Sequence, residues 1–159
     1  MFNQGGGPSS DQAAPSSSAR ADLPALEVET PPVTGAADRL CPSVIGNLPL
    51  TLDDAQARPV RSASPYAVAW GDPPIVLRCG VPRPAELADD SSLLEVNGIS
   101  WFVQPAGDET LWTAVDREVY VDVRVPSSRA SGPVALLSGT IGEQLPLVSA
   151  PGGAATPTR

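Results

Sequence analysis

The chain has 159 residues, which suits one domain or one domain with tails, and its 18 acidic residues against 10 basic ones give a net charge of −8. All ten basic residues are Arg, because neither Lys nor His occurs. This excludes Ser–His–Asp catalysis and Lys-dependent phosphate-loop or Schiff-base chemistry, and two Cys cannot complete a structural zinc site. We therefore predict no metal and no organic cofactor. The acidic excess argues against a nucleic-acid partner.

The two ends of the chain differ in composition from its middle. Residues 1–34 are rich in Gly, Pro, Ser and Ala and have few large apolar side chains, so burial cannot offset the entropy of ordering them. Residues 148–159 have the same character. We predict a disordered, low-complexity leader over 1–34, a single domain over 35–147 and a disordered tail over 148–159.

Membrane insertion is not encoded in this stretch of sequence. No segment supplies the ~20 consecutive apolar residues of a membrane helix, and the first residues lack the layout of a signal peptide. We therefore expect no direct membrane span within these residues. The leader has the composition of a tether that follows an anchor in the full-length gene product, the anchor itself not being present in this chain.

Two segments have helical periodicity. In the first, apolar residues at positions 37, 40, 41, 44, 45 and 48 recur at helical spacing. Pro42 lies inside this pattern, where it costs about 3 kcal/mol, so a helix that begins near Cys41 with Pro42 in its first turn is the alternative. The second helix is predicted to start at residues 131–133, and it carries Val134, Leu137, Ile141 and Leu145 along one side.

Strand periodicity dominates the middle of the chain. Residues 118–125 alternate four Val with polar residues and a Tyr, which is the pattern of a half-buried strand. Segments 66–70, 75–79 and 111–115 are further strands, and Asn97–Gly98 predicts a tight hairpin turn between 93–96 and 99–103. We predict an α+β fold in which one or two helices pack on one face of an antiparallel sheet of five or six strands.

The two cysteines can be interpreted in two ways. Cys41 lies on the apolar side of the first helix, and Cys79 lies on the inward face of a strand. A disulfide between them fits the tether-like leader, because disulfides persist in exported proteins. Two separate buried thiols are the alternative. A catalytic redox pair is not indicated, since no Cys-x-x-Cys spacing occurs.

Pairs of neighbouring acids are the one source of possible catalytic groups. A glycoside hydrolase needs only two carboxylates, so the missing His and Lys do not exclude it. Adjacent acids in loops are more often solvated turn residues. The pairs are Asp53–Asp54, Asp89–Asp90 and Asp108–Glu109.

Five further residues could form a ligand or partner surface: Trp70, Asp72, Arg78, Trp101 and Arg117. For each there is a structural interpretation as well. The two Trp lie on inward strand faces, where a large aromatic usually belongs to the core, and Asp72 lies in a Gly- and Pro-containing turn. The two Arg lie on an outward face or loop near acidic neighbours, which is typical of surface ion pairs. We predict no catalytic residues.

A family resemblance covers most of the foldable chain. Residues 69–81, with the sequence AWGDPPIVLRCGV, resemble the central signature of the DUF3515 family, a group of actinobacterial envelope proteins of unknown function. Further similarity lies in Leu40–Cys41, in the VNGISW segment at 96–101 and in Arg117 followed by residues 120–126. The resemblance spans about residues 40–147.

The resemblance implies an extracytoplasmic domain, membrane-anchored or secreted, and it strengthens the disulfide interpretation of Cys41 and Cys79. It supplies no catalytic residues. We expect a non-enzymatic accessory or binding domain of the cell envelope, with an envelope or membrane protein as its partner. The alternatives are a carboxylate-dependent hydrolase that acts on envelope glycan, and a small-molecule sensor with Trp70 or Trp101 in a pocket.

Overall fold

The computed structural model describes residues 23–148. It contains two helices, α1 (Gly35–Gly46) and α2 (Gly132–Gln144). The first five strands are β1 (Leu26–Glu27), β2 (Thr51–Leu52), β3 (Ala55–Arg58), β4 (Val60–Arg61) and β5 (Ala67–Trp70). The other five are β6 (Ile75–Val81), β7 (Leu94–Val96), β8 (Ile99–Ala106), β9 (Glu109–Ala114) and β10 (Tyr120–Pro126).

Eight of the strands form one antiparallel sheet in the order β2-β3-β5-β6-β10-β9-β8-β7, and β1 pairs with β4 in a separate parallel ribbon. The predicted α+β class is therefore confirmed. The sheet has more strands than the five or six predicted, because β2 and β3 had no sequence signal. They span two and four residues, and strand β3 reads Ala-Gln-Ala-Arg, which is short and has none of the β-branched or aromatic residues that are enriched in strands.

Both helices pack on the same face of the sheet. Helix α1 contacts β6, helix α2 contacts β7 and β8, and the two helices touch each other. Alternate strand residues point to this face and are fully buried there, among them Trp70, Leu77, Trp101, Val121 and Val123. The core of the molecule is the layer between the sheet and the two helices.

Helix α1 contains Pro42 in its interior, so the alternative start near Cys41 is wrong. The helix begins at Gly35, where the Thr34 hydroxyl accepts a hydrogen bond from the Ala37 amide at 3.1 Å. Pro42 lies on the exposed side, and the opposite side buries Ala37, Cys41 and Val44. Burial of that side and the N-terminal cap offset the hydrogen bond that Pro42 cannot donate.

Helix α2 begins at Gly132, with Pro133 in its first turn, as the sequence predicts. Its buried side includes Leu137, Ser138 and Ile141. The hydroxyl of Ser138 is buried, but its hydrogen-bonding needs are met. It donates to the Val134 carbonyl at 2.7 Å and accepts from the Trp101 indole N–H at 3.0 Å.

The N-terminal strap, which we define as residues 24–30, crosses the sheet face opposite the helices. Its strand β1 pairs with β4, and the Leu26 amide donates to the Pro59 carbonyl at 2.9 Å. The Arg78 guanidinium donates to the Glu29 carbonyl at 2.8 Å. Ordered contacts therefore begin before residue 35, because backbone groups of the strap find partners that its composition did not reveal. Residues 1–22 of the predicted leader and residues 149–159 of the predicted tail lie outside the described residues.

In the described part of the chain, neither helix has the length and apolar character that crossing a membrane requires.

Candidate functional site

A disulfide ties helix α1 to strand β6. Cys41 and Cys79 are both buried, their Cα atoms are 5.8 Å apart, and the bond closes a sequence separation of 38 residues. The next residue, Gly80, has a φ of +89°, and a Cβ atom there would lie 2.8 Å from the Ala37 Cβ. Glycine is required at this position, because only its missing side chain lets the helix come this close to the strand.

Strands β6 and β10 change register beside the disulfide. Val121 pairs with Cys79 but Tyr120 pairs with Val81, so Gly80 is an extra residue in the ladder. Such a bulge bends the strand that carries it and redirects the side chains that follow. Beyond the bulge, the ends of β6 and β10 and the start of α1 border an opening.

A cleft of about 470 Å³ occupies this opening. We call it the strand-end cleft and define it by its lining residues: Pro31, Pro32, Thr34, Ala36, Gly80, Val81, Pro82, Arg83, Glu118, Val119 and Tyr120. One wall is the extended segment that leads into α1, and the other is formed by the ends of β6 and β10. Most of the lining is apolar, which is usual for sites that bind ligands or peptide segments.

Two opposite charges lie at the rim of the strand-end cleft. The Arg83 guanidinium donates to the Leu87 carbonyl at 3.1 Å, so part of its hydrogen-bonding capacity is used within its own loop. Glu118 is exposed, and among residues 23–148 no ion pair involves its carboxylate. Arg83 is exposed as well and has no ion pair among residues 23–148, so the rim carries one charge of each sign.

Tyr66 supports the disulfide-bonded region at the start of α1. Its hydroxyl donates to the Asp38 carboxylate at 2.7 Å, and its carbonyl accepts from the Cys79 amide at 2.9 Å. The hydrogen bond to Asp38 is the main reason why the pKa of Tyr66 is raised; desolvation and the negative charge of Asp38 raise it further. Tyr66 thus connects α1 to the strand that carries Cys79.

A second, smaller cavity of about 290 Å³ lies between the N-terminal strap and the open sheet face. Arg78 dominates it: the Nε atom donates to the Asp122 carboxylate at 3.0 Å, and a second nitrogen bonds the other carboxylate oxygen. The hydrogen bond to Asp122 raises the pKa of Arg78; partial burial opposes this, and the charges of Asp122 and Glu29 add to it. These groups are engaged with one another and hold the strap.

Trp70 and Trp101 belong to the core and not to a groove. Both are fully buried on the helix-covered face, and the Trp70 indole donates to the Pro49 carbonyl at 2.9 Å. The Trp101 and Trp112 rings meet edge to face with centroids 6.2 Å apart. The core interpretation that the sequence favoured describes both residues, and a sensor pocket around either Trp has no opening to solvent.

Arg117 is not the surface ion pair that its sequence context suggests. It is buried, and its guanidinium donates to the Leu145 carbonyl at 3.2 Å and to the Gly98 carbonyl at 2.9 Å. The Asp116 carboxylate lies 3.4 Å from its Nε atom. Asp72 is an exposed turn residue before a cis peptide bond to Pro73. Neither residue lines the strand-end cleft, although Arg117 directly precedes Glu118, which does.

Five of the six acids in these pairs lie in turns and loops, Glu109 begins β9, and the pairs do not converge on one another in either of these two cavities. Asp53 has the positive φ of a turn residue, 58°, and Asp54 forms an ion pair with Arg129. Asp89 and Asp90 are exposed. Of the six, Glu109 alone lines the strap cavity, where its carboxylate is 3.8 Å from Arg124. No group of three or more His, Cys, Asp or Glu in the described residues could hold a metal ion.

Sequence reasoning missed the residues that line the strand-end cleft. Pro31 and Pro32 were assigned to the leader, because composition cannot show that a Pro-rich segment packs against a sheet. Tyr120 had a signal: it is the one aromatic residue on the outward side of an otherwise regular Val strand. Glu118 had none, since a single charge at the start of a strand is common.

Comparison with known proteins agrees with the fold-wide resemblance. Residues 12–150 match the family model described as "Protein of unknown function (DUF3515)". No curated protein matches the chain, and no solved structure matches it. Because the family model covers well over half of the sequence, the chain belongs to the DUF3515 family.

Proposed function

We propose that this chain is a non-enzymatic accessory or binding domain of the cell envelope that acts outside the cytoplasm. The observation that carries the proposal is the buried disulfide between Cys41 and Cys79, which accounts for both cysteines of the sequence. Structural disulfides form and persist in oxidising compartments and are rare in the reducing cytosol. The full-length product is membrane-anchored or secreted in this proposal.

The strand-end cleft supports the binding part of the proposal. Its volume of about 470 Å³ lies within the usual range of ligand sites, roughly 300–1,000 Å³. Four of its lining residues belong to packed elements, Ala36 to α1, Gly80 and Val81 to β6 and Tyr120 to β10, and the disulfide holds α1 to β6. The partner that we expect is another protein of the envelope or membrane.

A carboxylate-dependent hydrolase acting on envelope glycan is the second candidate. The strap cavity favours it in one respect, since Glu27, Glu29 and Glu109 all line it. A glycosidase needs two carboxyl groups roughly 5–10 Å apart on either side of the scissile bond. Glu27 is paired with Arg61 and Glu109 lies near Arg124, so two of the three carboxylates face a guanidinium and not an open substrate site.

Protease accessibility in spheroplasts tests the proposed location. An epitope-tagged full-length gene product is expressed in its source cells, the outer layers are removed, and a protease is added outside the intact cytoplasmic membrane. We expect digestion of the tagged protein while a cytoplasmic marker stays intact. If the protein resists the protease until the cells are lysed, it is cytoplasmic and the proposal is wrong.

A further inference from the structure

Strand β7 is one edge of the eight-stranded sheet, and its outer side is open. Among residues 23–148 it pairs with β8 alone, and its middle residue, Glu95, lies opposite Ser100. The Ser100 carbonyl accepts from the Val115 amide at 3.0 Å and the Ser100 amide donates to the Asp116 carboxylate at 3.0 Å, both on the side away from β7. Opposed residues of an antiparallel pair exchange both backbone hydrogen bonds or neither, so the amide and carbonyl of Glu95 point outward.

The two faces of this edge differ in chemistry. Leu94 lies opposite Trp101, which is fully buried beneath helix α2, so Leu94 shares the helix-covered face. The helix does not cover it, because Leu94 is 54% exposed, and the preceding Leu93 is 43% exposed. Glu95 is exposed and points to the opposite face. An added strand therefore meets an apolar side chain on one face of the sheet and a carboxylate on the other.

The charge around the β7 edge is negative. Residues 84–116 include no Arg, and helix α2 has no basic residue. Arg83 follows the end of β6, and three strands, roughly 19 Å, separate β6 from β7. Arg117 touches the β7–β8 turn, but it is buried and donates to backbone carbonyls, and Arg124 of β10 faces Glu109. The loop that leads into β7 carries three exposed acids: Glu86, Asp89 and Asp90. A partner strand with basic side chains is therefore favoured.

A second copy of this chain does not suit the edge. In an antiparallel pair of two β7 strands centred on Glu95, the two carboxylates lie directly opposite each other, which destabilises the pair. The net charge of −8 adds repulsion between whole molecules. The edge is therefore open to a basic strand and closed to its own copy.

We infer that the outer edge of β7 binds an extended segment of another protein, with alternating apolar and basic residues, as a further strand of the sheet. A basic residue opposite Glu95 shares the face of that carboxylate, and its apolar neighbours share the face of Leu94. The backbone ladder supplies affinity and the alternate side chains supply specificity. The inference rests on the proposed binding function and adds a surface and the chemical class of the partner.

Binding of synthetic peptides tests the inference on the oxidised 159-residue chain. The probe is a short peptide with blocked ends in which Val and Arg alternate. One control has Glu in place of each Arg, and a second has the same residues with all Arg grouped at one end. A third carries N-methyl groups on its Arg residues, which removes amide donors and keeps the charge. We expect the alternating Arg peptide to bind most tightly and to shift the amide NMR signals of Leu93 and Glu95.

Substitutions at Glu95 separate the charge from the backbone. Glu95→Gln removes the charge and is expected to weaken binding about threefold. Glu95→Pro also removes the outward amide, and we expect it to weaken binding about tenfold further, because the ladder cannot form. Proline is tolerated on an edge strand where the missing amide faces solvent, so we expect the circular dichroism spectrum to stay that of the wild type. Glu143→Gln makes the same charge change at an exposed position of α2, and we expect no effect.

Equal binding of the N-methylated peptide, a Glu95→Pro effect no larger than that of Glu95→Gln, or signal shifts confined to residues away from β7 and β8 overturns the inference. Dimerisation of the chain alone that is lost in Glu95→Pro also overturns it and makes the occupant a second copy. If no peptide binds while spheroplast proteolysis places the protein outside the cytoplasm, the inference fails and the proposed location stands.

Discussion

Arg117 shows how one buried side chain connects distant parts of the chain. Its guanidinium reaches the carbonyl of Gly98 in the β7–β8 turn and that of Leu145 at the end of α2. Its Nε atom lies 3.4 Å from Asp116, whose other carboxylate oxygen accepts from the Ser100 amide at 3.0 Å. The residue joins the hairpin, the start of β10 and the C-terminal helix.

Replacing Arg117 by Met is expected to lower the free energy of unfolding by about 2–4 kcal/mol, because two carbonyls and the Asp116 carboxylate lose their partner while apolar bulk is kept. Urea denaturation measures the loss. Arg39→Met, at an exposed position of α1, is the control and is expected to change stability by less than about 0.5 kcal/mol. Equal effects of the two substitutions would show that Arg117 has no special structural role.

Tyr66 provides a prediction about pH. Its raised pKa means that the folded state favours the neutral phenol, so its contribution to stability is present below the ordinary value of 10.0 and is lost as the pH rises through the higher folded value. The difference between the alkaline absorbance titrations of the wild type and Tyr66→Phe isolates this group. We expect its midpoint above 10.0 and a lower midpoint in Asp38→Asn. A wild-type midpoint at or below 10.0 contradicts the contact.

At this scale the sequence predicts inward-facing apolar residues well and buried charges badly. Trp70 and Trp101 were correctly favoured as core, because alternation places them on the covered face of the sheet. Arg117 looked like a surface residue, because its partners are backbone carbonyls 19 and 28 residues away along the chain. No local pattern marks such contacts.

Among the elements, α1 and β6 depend on each other through the disulfide. The bond between Cys41 and Cys79 joins the first helix to a central strand across 38 residues, and Gly80 lets the two elements touch. The sequence suggested this pairing by placing each Cys on an inward face. It did not show the bulge that follows, because register is set by pairing with β10.

The double substitution Cys41→Ala with Cys79→Ala is expected to lower the free energy of unfolding by about 4 kcal/mol, since the loop between the cysteines is no longer constrained in the unfolded state. Urea denaturation of the oxidised wild type and the variant without reductant measures the difference. Wild type treated with reductant is expected to behave like the variant. No change in either sample would mean that the bond contributes nothing to stability.

Elements could be predicted from the sequence where the apolar pattern extends over many residues. Helix α2 and strand β10 span 13 and 7 residues, and both were recognised from their apolar pattern. Strands β1 to β4 have two to four residues each and were not recognised. Segments this short are held by their neighbours in the sheet and not by their own propensity.

At the scale of the whole molecule, Leu23, which directly precedes the N-terminal strap, and the strand-end cleft lie in different places on the sheet. Leu23 lines a surface hollow with Gly71 and Arg129, beside the turn that precedes β6. The strand-end cleft lies at the opposite end of β6, seven residues and roughly 20 Å away. The strand-end cleft and the hollow that Leu23 lines therefore lie at opposite ends of β6.

Limited proteolysis tests whether the strap belongs to the domain. Arg58 and Arg78 hold the carbonyls of Pro24 and Glu29, so we expect digestion of the native chain by subtilisin to leave a fragment that begins near residue 23. Mass spectrometry of the resistant fragment gives its first residue. A fragment that begins near residue 35 would agree with the boundary predicted from composition and would contradict a strap that belongs to the domain. Arg78→Ala, which removes one anchor of the strap, is expected to make the strap easier to cleave.

The state of the two cysteines in the native protein tests the central claim most directly. The protein is isolated from its source cells in acid with an alkylating agent, so that free thiols are blocked before they can react, and its peptides are analysed without reductant. We expect one disulfide-linked pair containing Cys41 and Cys79 and no alkylated cysteine. Quantitative alkylation of both cysteines would contradict the disulfide and remove the main support for a domain that acts outside the cytoplasm.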